Sequence, residues 1–490
     1  MYLTQSIPLL FGIPDRLSSS RAIFISMMIL GVAFGSFLIV EIWEAFPFFL
    51  VMTALLSVHG YICLRTTSAN LLFIVRYFLV WILIFGTAVV WFLFSGDVLV
   101  APFGVAFQTL ENTRLLVMAG IFSLCGSLVG WHTSLLRFKF EQSPIFFLSD
   151  KKRESLQKAG VCLAVLFALL YLWKAGGIIG GSKVYSDGQE GFALTFGIFN
   201  ICHFFGISLI LLSSYRGPQI EVRYLLFALV TLILGMLSGS RADFLPQSIM
   251  LIVLLFNVQI STALFKGQYI NITLWIGLSL LLLLIGYIAA TFIGLWRSGL
   301  SPALALDIVM SSNINVLINE VYGHKMLFFE TGNMMLGGLY SAIVQVRTGI
   351  TGPLLGESYI NYFIISPPAF LNLPRPLGLE WATDIGDVIM TQGGIFEVAE
   401  AFWNFDLVGC FVVSFFISYL FGWLLQRGLR YSNYFYLIWY LIFGLHSFRS
   451  IWYQNFSYFR LATVMLVVYL VSKVLCAWFV ADRHSSLQNS

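Results

Sequence analysis

Leu295-Trp296-Arg297-Ser298-Gly299 closes one apolar run, and Gly393-Gly394-Ile395-Phe396-Glu397-Val398-Ala399-Glu400-Ala401-Phe402-Trp403-Asn404-Phe405 opens another. Between them lies the one long stretch that does not read as membrane span. It carries His324, Glu330, Arg347, Glu357, Arg375, Glu380, Asp384 and Asp387, most of the ionisable groups outside the basic loops. A connection this long is uncommon in a compact protein and is usually functional. The spans therefore read as a frame, and residues 297–395 as its working part.

Composition supports that division. Of 490 residues, 59% are hydrophobic and only 10% are charged, where a soluble domain carries about 25%. Mean hydropathy is +0.89. Aromatic residues make up 17%, including 47 phenylalanines, as suits lipid-facing helices with Trp and Tyr at the interfaces. The net charge of +4 comes from basic loops and points to no nucleic-acid partner. Cys63, Cys125, Cys162, Cys202, Cys410 and Cys476 are scattered through apolar runs, which predicts small buried hydrophobes and neither a disulfide framework nor a metal knuckle. The first apolar run is a full span with no small-residue cleavage site after it, so no cleavable signal peptide is expected.

Runs of roughly 20 apolar residues mark helical spans. About twelve are expected, near 22–40, 45–63, 71–94, 115–136, 157–173, 192–213, 224–238, 244–265, 273–295, 396–425, 434–451 and 457–479. The pattern predicts an all-α polytopic membrane protein, because lipid demands internally satisfied backbone and the alternation of a barrel is absent. The whole of 1–490 forms one transmembrane domain, with 297–395 as a large loop inside it. Alternate loops carry Arg16 and Arg21, Arg65, the cluster from Arg137 to Lys158, Arg216 and Arg223, Lys266, Arg427 and Arg430, and Arg483. The other set is poorer in basic residues and holds Glu41, Glu44, Asp97, Glu111, Asp187 and Glu190. The excess of Lys and Arg places the first set in the cytoplasm, together with both termini, and the large loop outside. Within that loop Ala303–Val321, Met335–Val346 and Tyr359–Phe370 read as amphipathic pieces that lie along the membrane or dip back into it.

Arginines at the outer ends of spans run against the usual charge bias. Arg241 follows Ser238-Gly239-Ser240, Arg297 ends a span, Arg449 and Arg460 flank the last outer turn, and Arg347 and Arg375 lie in the loop. A guanidinium grips phosphate oxygens with two parallel bonds, and Gly-Ser turns add backbone donors. The functional reading is a site for a lipid-linked diphosphate; the plainer one is snorkelling or pairing with a carboxylate such as Asp243. Glu397 and Glu400 share one helix face at the start of a span. A carboxylate there serves as a proton acceptor or simply favours the helix N-terminus. For Glu397 the second reading is preferred. His324, the one histidine of the loop, is the natural alternative base. His446 lies on one helix face with Arg449, and His203 and Arg76 fall within spans. No metal is expected, since Glu41-Ile-Trp-Glu44 and Asp384-Ile-Gly-Asp387 lack the Asp-x-Asp spacing of metal-assisted glycosyl transfer.

The stretch Gly394-Ile-Phe-Glu-Val-Ala-Glu400-Ala-Phe-Trp-Asn404-Phe-Asp406-Leu-Val-Gly409 resembles a motif of the Wzy-type O-antigen polymerases. In that family a pattern like small-x-x-x-E-A-y-x-N-f-G-x-x-G opens a late span after the large outer loop. Asp406 stands here where the pattern has Gly. Ser240-Arg241 and Phe370-Leu-Asn-Leu-Pro374-Arg375-Pro376 are similar to further elements of the family, and the resemblance covers about 235–465. It implies a GT-C-like membrane glycosyltransferase of the bacterial inner membrane. Such enzymes move a growing glycan from undecaprenyl diphosphate to the non-reducing end of the next lipid-linked unit, with no cofactor.

Under that reading Arg241, Arg297, Arg375 and Arg449 contact the diphosphate, and Glu400 or His324 activates the acceptor hydroxyl. The implied partners are undecaprenyl-diphosphate-linked oligosaccharide and membrane lipid, with a chain-length regulator protein as a further candidate. An O-antigen ligase shares the plan and differs in acceptor. A flippase or transporter predicts charges lining a cavity through many spans, whereas here they gather at the outer face.

Overall fold

The structure, a computed structural model, describes residues 16–39, 45–67, 70–94, 110–136, 150–174, 190–213, 215–216, 219–220, 222–236, 330–349, 353–361, 396–431, 433–453 and 461–466, with isolated positions elsewhere. The described residues are helical: α1 (Arg16–Ile39), α2 (Ala45–Thr67), α3 (Leu71–Phe94), α4 (Leu110–Leu135), α5 (Asp150–Lys174), α6 (Glu190–Ser213), α7 (Val222–Met236), α8 (Glu330–Thr348), α9 (Glu397–Arg430) and α10 (Tyr434–Tyr453). Among the described residues the exception is a two-residue antiparallel pair, Tyr215–Arg216 with Gln219–Ile220. Six of the described helices, α1 to α5 and α9, are long and apolar enough to cross a membrane. The expected spans near 244–265, 273–295 and 457–479 lie largely outside the described residues.

Helix α4 is the axis of the bundle. Every residue from 115 to 132 is buried, as expected of a helix covered on all sides. Helix α9 packs against it. Small residues make that approach possible, the usual means by which helices associate where lipid removes the hydrophobic drive. A Cβ on Gly126 or Gly130 would overlap the carbonyl oxygen of Phe411 or Phe415, and Ser123 Oγ meets Ser414 Oγ at 2.7 Å. On the other side α5 and α6 close to a similar distance, where a Cβ on Gly206 would stand 2.6 Å from the Ala164 nitrogen.

Buried histidines tie the first four helices together. His59 of α2 bonds Ser26 of α1 at 3.0 Å and Tyr77 of α3 at 2.5 Å. His132 of α4 bonds Ser19 of α1 at 3.1 Å and Thr66 of α2 at 3.2 Å. Asn70, just before α3, donates to Tyr440 of α10 at 2.7 Å. The start of α1, the ends of α2 and α4, and the start of α3 therefore share one end of the bundle. Arg21, Arg65, Arg427 and Arg430 all belong to that end.

Helix α9 departs from the single span expected over 396–425. Phe405 (φ −143°, ψ 21°) and Asp406 (φ 57°, ψ −153°) break it. Cys410 Sγ then comes within 3.6 Å of the Val398 carbonyl, whereas twelve residues of continuous helix would separate them by about 18 Å. Residues 397–404 form a short arm folded back on the long arm, 407–430. A Cβ on Gly409 would overlap the Ala401 carbonyl, so glycine is what lets the arms touch. All eight residues of the short arm are buried.

The amphipathic stretch expected at Met335–Val346 is part of α8. It packs against α9 and α4 and buries Leu339, Ala342 and Ile343, so it is built into the bundle.

Candidate functional site

The short arm is held at both ends. At its start, Phe396 gives no side-chain cap, and Glu397, although in the first turn, makes no capping hydrogen bond among the described residues. Glu397 Oε1 instead accepts from Arg76 Nη2 of α3 at 2.6 Å, with both side chains at most 4% exposed. Arg76 Nε also donates to the Tyr458 hydroxyl at 3.1 Å. Beside the guanidinium is a small cavity lined by Arg76, Ser418, Ser447 and Tyr458, with Phe421 and Phe443 as apolar wall. Glu397 Oε2 and Ser418 Oγ have no hydrogen-bond partner among the described residues.

At its other end the short arm meets residues 353–361 of the large loop. The amides of Leu354 and Leu355 donate to the carbonyls of Trp403 (3.1 Å) and Asn404 (3.0 Å), satisfying terminal acceptors that a helix leaves open. Asn404 Oδ1 accepts from the Gly356 amide at 3.1 Å. Its Nδ2 donates to Ser358 Oγ at 2.8 Å and to the Glu400 carbonyl at 2.8 Å. Ser358 in turn donates to Glu400 Oε1 at 2.9 Å. The Tyr359 ring stacks on Phe405, centroids 6.3 Å apart.

Two non-glycine residues flank this junction at positive φ, Leu355 (48°) and Asp406 (57°). With ψ near −153° Asp406 occupies a region that is essentially reserved for glycine. It caps the long arm by accepting from the Leu407 amide at 2.7 Å, and it faces Arg347 of α8 across 3.8 Å. Strain of this kind persists only where surrounding structure holds it, and it concentrates at functional sites.

Of the residues singled out in the sequence, Glu400 is the one placed at the centre of this junction, with no exposure at all. A carboxylate that accepts from Ser358 is oriented to take a proton. Arg347 is at the hinge of the hairpin and partly exposed. His446 is buried on α10, its ring edge-on to Phe204 at 5.2 Å, and His203 bonds Thr231 at 3.1 Å. Arg449 belongs to α10. Arg241, Arg297, His324 and Arg375, with Arg460, Asp384 and Asp387, lie outside the described residues. Among the described residues no group of three or more His, Cys, Asp or Glu could hold a metal ion.

Sequence reasoning passed over Ser358 and Tyr458, and read Glu397 as a helix-end charge. The signal for Glu397 was Arg76, an ionisable group inside an apolar run, which needs a buried partner. No family model, curated protein or solved structure matches this chain.

Proposed function

We propose that this protein is a polymerase of lipid-linked oligosaccharide repeat units. It transfers the growing glycan from undecaprenyl diphosphate to the next unit at the outer face of a bacterial inner membrane. The observation that carries the reading is the Glu400–Ser358–Asn404 junction, which joins the large loop to the reversed helix. Each distinctive position of the resembling motif has a physical task there. Glu400 and Asn404 bind the loop, position 406 takes a glycine-type backbone, and Gly409 admits the close contact of the two arms.

The orientation follows from charge. The end that carries Arg21, Arg65, Arg427 and Arg430 faces the cytoplasm. The hairpin turn and residues 353–361 then face outward. Glu400 accepts the proton of the acceptor hydroxyl, with His324 as the alternative base. Arg241, Arg297, Arg375 and Arg449 hold the departing diphosphate, supplying the positive charge that a metal would otherwise provide.

Two observations favour a second reading, a flippase for the same lipid-linked substrate. A half-length helix and a buried ion pair inside a bundle are also features of transporters. Deleting the gene separates the cases on a polysaccharide gel. Loss of a polymerase leaves core bearing a single repeat unit. Loss of an O-antigen ligase leaves bare core with polymer stranded on its carrier, and loss of a flippase leaves bare core and no polymer. Either of the last two patterns overturns the assignment. Arg241→Ala is expected to abolish chain extension at unchanged protein level, and long chains in that variant would remove Arg241 from the site.

A further inference from the structure

We propose that Arg76 is a positioning residue: through Glu397 it fixes the depth of the short arm, and so sets where Glu400 and Asn404 meet Ser358. The inference rests on the reading of Glu400 as proton acceptor.

The short arm needs such a device. Between its ends it presents Val398, Ala399, Ala401 and Phe402, all buried and apolar. Smooth apolar faces define register poorly where lipid supplies no hydrophobic drive between helices. It meets the long arm where Gly409 faces the Ala401 carbonyl, and polar clasps hold its two ends, Arg76 at the start and Ser358 with the Gly356 amide at the end.

Stability alone does not account for the buried pair. An apolar pair of similar volume usually does as well, and the best-attested use of a buried polar contact is to fix register. Glu397 also keeps one carboxylate oxygen without a hydrogen-bond partner among the described residues. The guanidinium cannot follow a wandering partner, because Tyr458 holds its Nε edge. Glu400 sits one turn further along the same helix face as Glu397. A slip of one turn would bring Glu400 to Arg76 and pull it off Ser358. The Arg76–Glu397 pair and the Ser358–Glu400 bond are therefore satisfied together in one register only.

Hydrogen exchange of the full-length protein in nanodiscs tests this without an activity assay. Arg76 makes no hydrogen bond or ion pair with residues 353–361, yet Arg76→Met and Glu397→Gln are expected to lose amide protection there, at Leu354, Leu355 and Gly356. Arg76→Lys is expected to restore part of it. Alongside, kcat for chain extension falls with little change in KM for the lipid-linked unit, and Arg76→Lys recovers part of that too. Unchanged protection at 353–361 in a well-folded Arg76→Met protein overturns the proposal. Should that variant fail to fold, Tyr458→Phe, which frees one edge of the guanidinium, carries the same two outcomes. A wild-type protein that polymerises nothing would overturn the reaction assigned to Glu400 and leave the exchange result standing.

Discussion

Gly126 of α4 lies so close to Phe411 of α9 that a Cβ on the glycine would overlap the Phe411 carbonyl oxygen. Gly130 repeats the relationship one turn later with Phe415. Backbone stands against backbone here, so no side-chain rearrangement relieves a larger residue. Gly126→Val or Gly130→Val is therefore expected to cost about 1–3 kcal/mol or more, the range for overpacked cores. Thermal unfolding in detergent, followed by size-exclusion fluorescence, checks it. An unchanged midpoint for both variants would mean that the two helices do not meet along this stripe.

Asp406 makes the opposite prediction. Its backbone (φ 57°, ψ −153°) suits glycine, and strain of this kind costs about 1–3 kcal/mol. Asp406→Gly gives up the bond from the Leu407 amide, where replacing a helix cap by Gly costs only a few tenths of a kcal/mol. It also gives up a half-exposed pair with Arg347, about 0–1 kcal/mol. The variant is expected to match or exceed the parent in melting temperature. Asp406→Val adds a β-branched side chain at the same angles and is expected to melt lower. A marked loss in Asp406→Gly would show that the carboxylate matters more than the turn.

Much of the frame was legible because lipid leaves few choices. The run at 71–94 coincides with α3 (Leu71–Phe94), and the amphipathic stretch at 335–346 falls inside α8. Hydropathy is blind to direction, however. The run across 396–425 is equally apolar whether it continues or reverses, and the residue that would have announced a turn, a glycine at 406, is an aspartate. The Arg76–Glu397 pair joins positions 321 residues apart, and no periodicity in a single sequence reports such a partner. Glu400 was visible as a charge at the mouth of a span. Its tie to Ser358 was not, because a lone serine in a long loop carries no pattern.

His59 offers a test of the N-terminal packing. It links α1 through Ser26 and α3 through Tyr77, all three side chains buried. Side-chain hydrogen bonds between membrane helices contribute about 0.6 kcal/mol each on average, so His59→Leu is expected to cost about 1 kcal/mol. His59→Gln, which can keep one of the two bonds, falls between. Unfolding in mixed micelles measures both. Equal stability of His59→Leu and the parent would mean that the ring contributes shape alone.

Glu400 and Asn404 separate chemistry from architecture. Glu400→Gln keeps a carbonyl oxygen where Ser358 donates, so fold and melting temperature are expected to hold while chain extension is lost, because an amide takes no proton. Asn404→Ala removes three hydrogen bonds at once and strands the Gly356 amide in a buried site. An unsatisfied buried group costs about 1–3 kcal/mol, so that variant is expected to lose stability as well as activity. Polysaccharide gels read the one quantity and detergent unfolding the other. If Glu400→Gln melts with the parent and still makes long chains, the carboxylate is a tether for the loop, and the proton goes elsewhere, with His324 next in line.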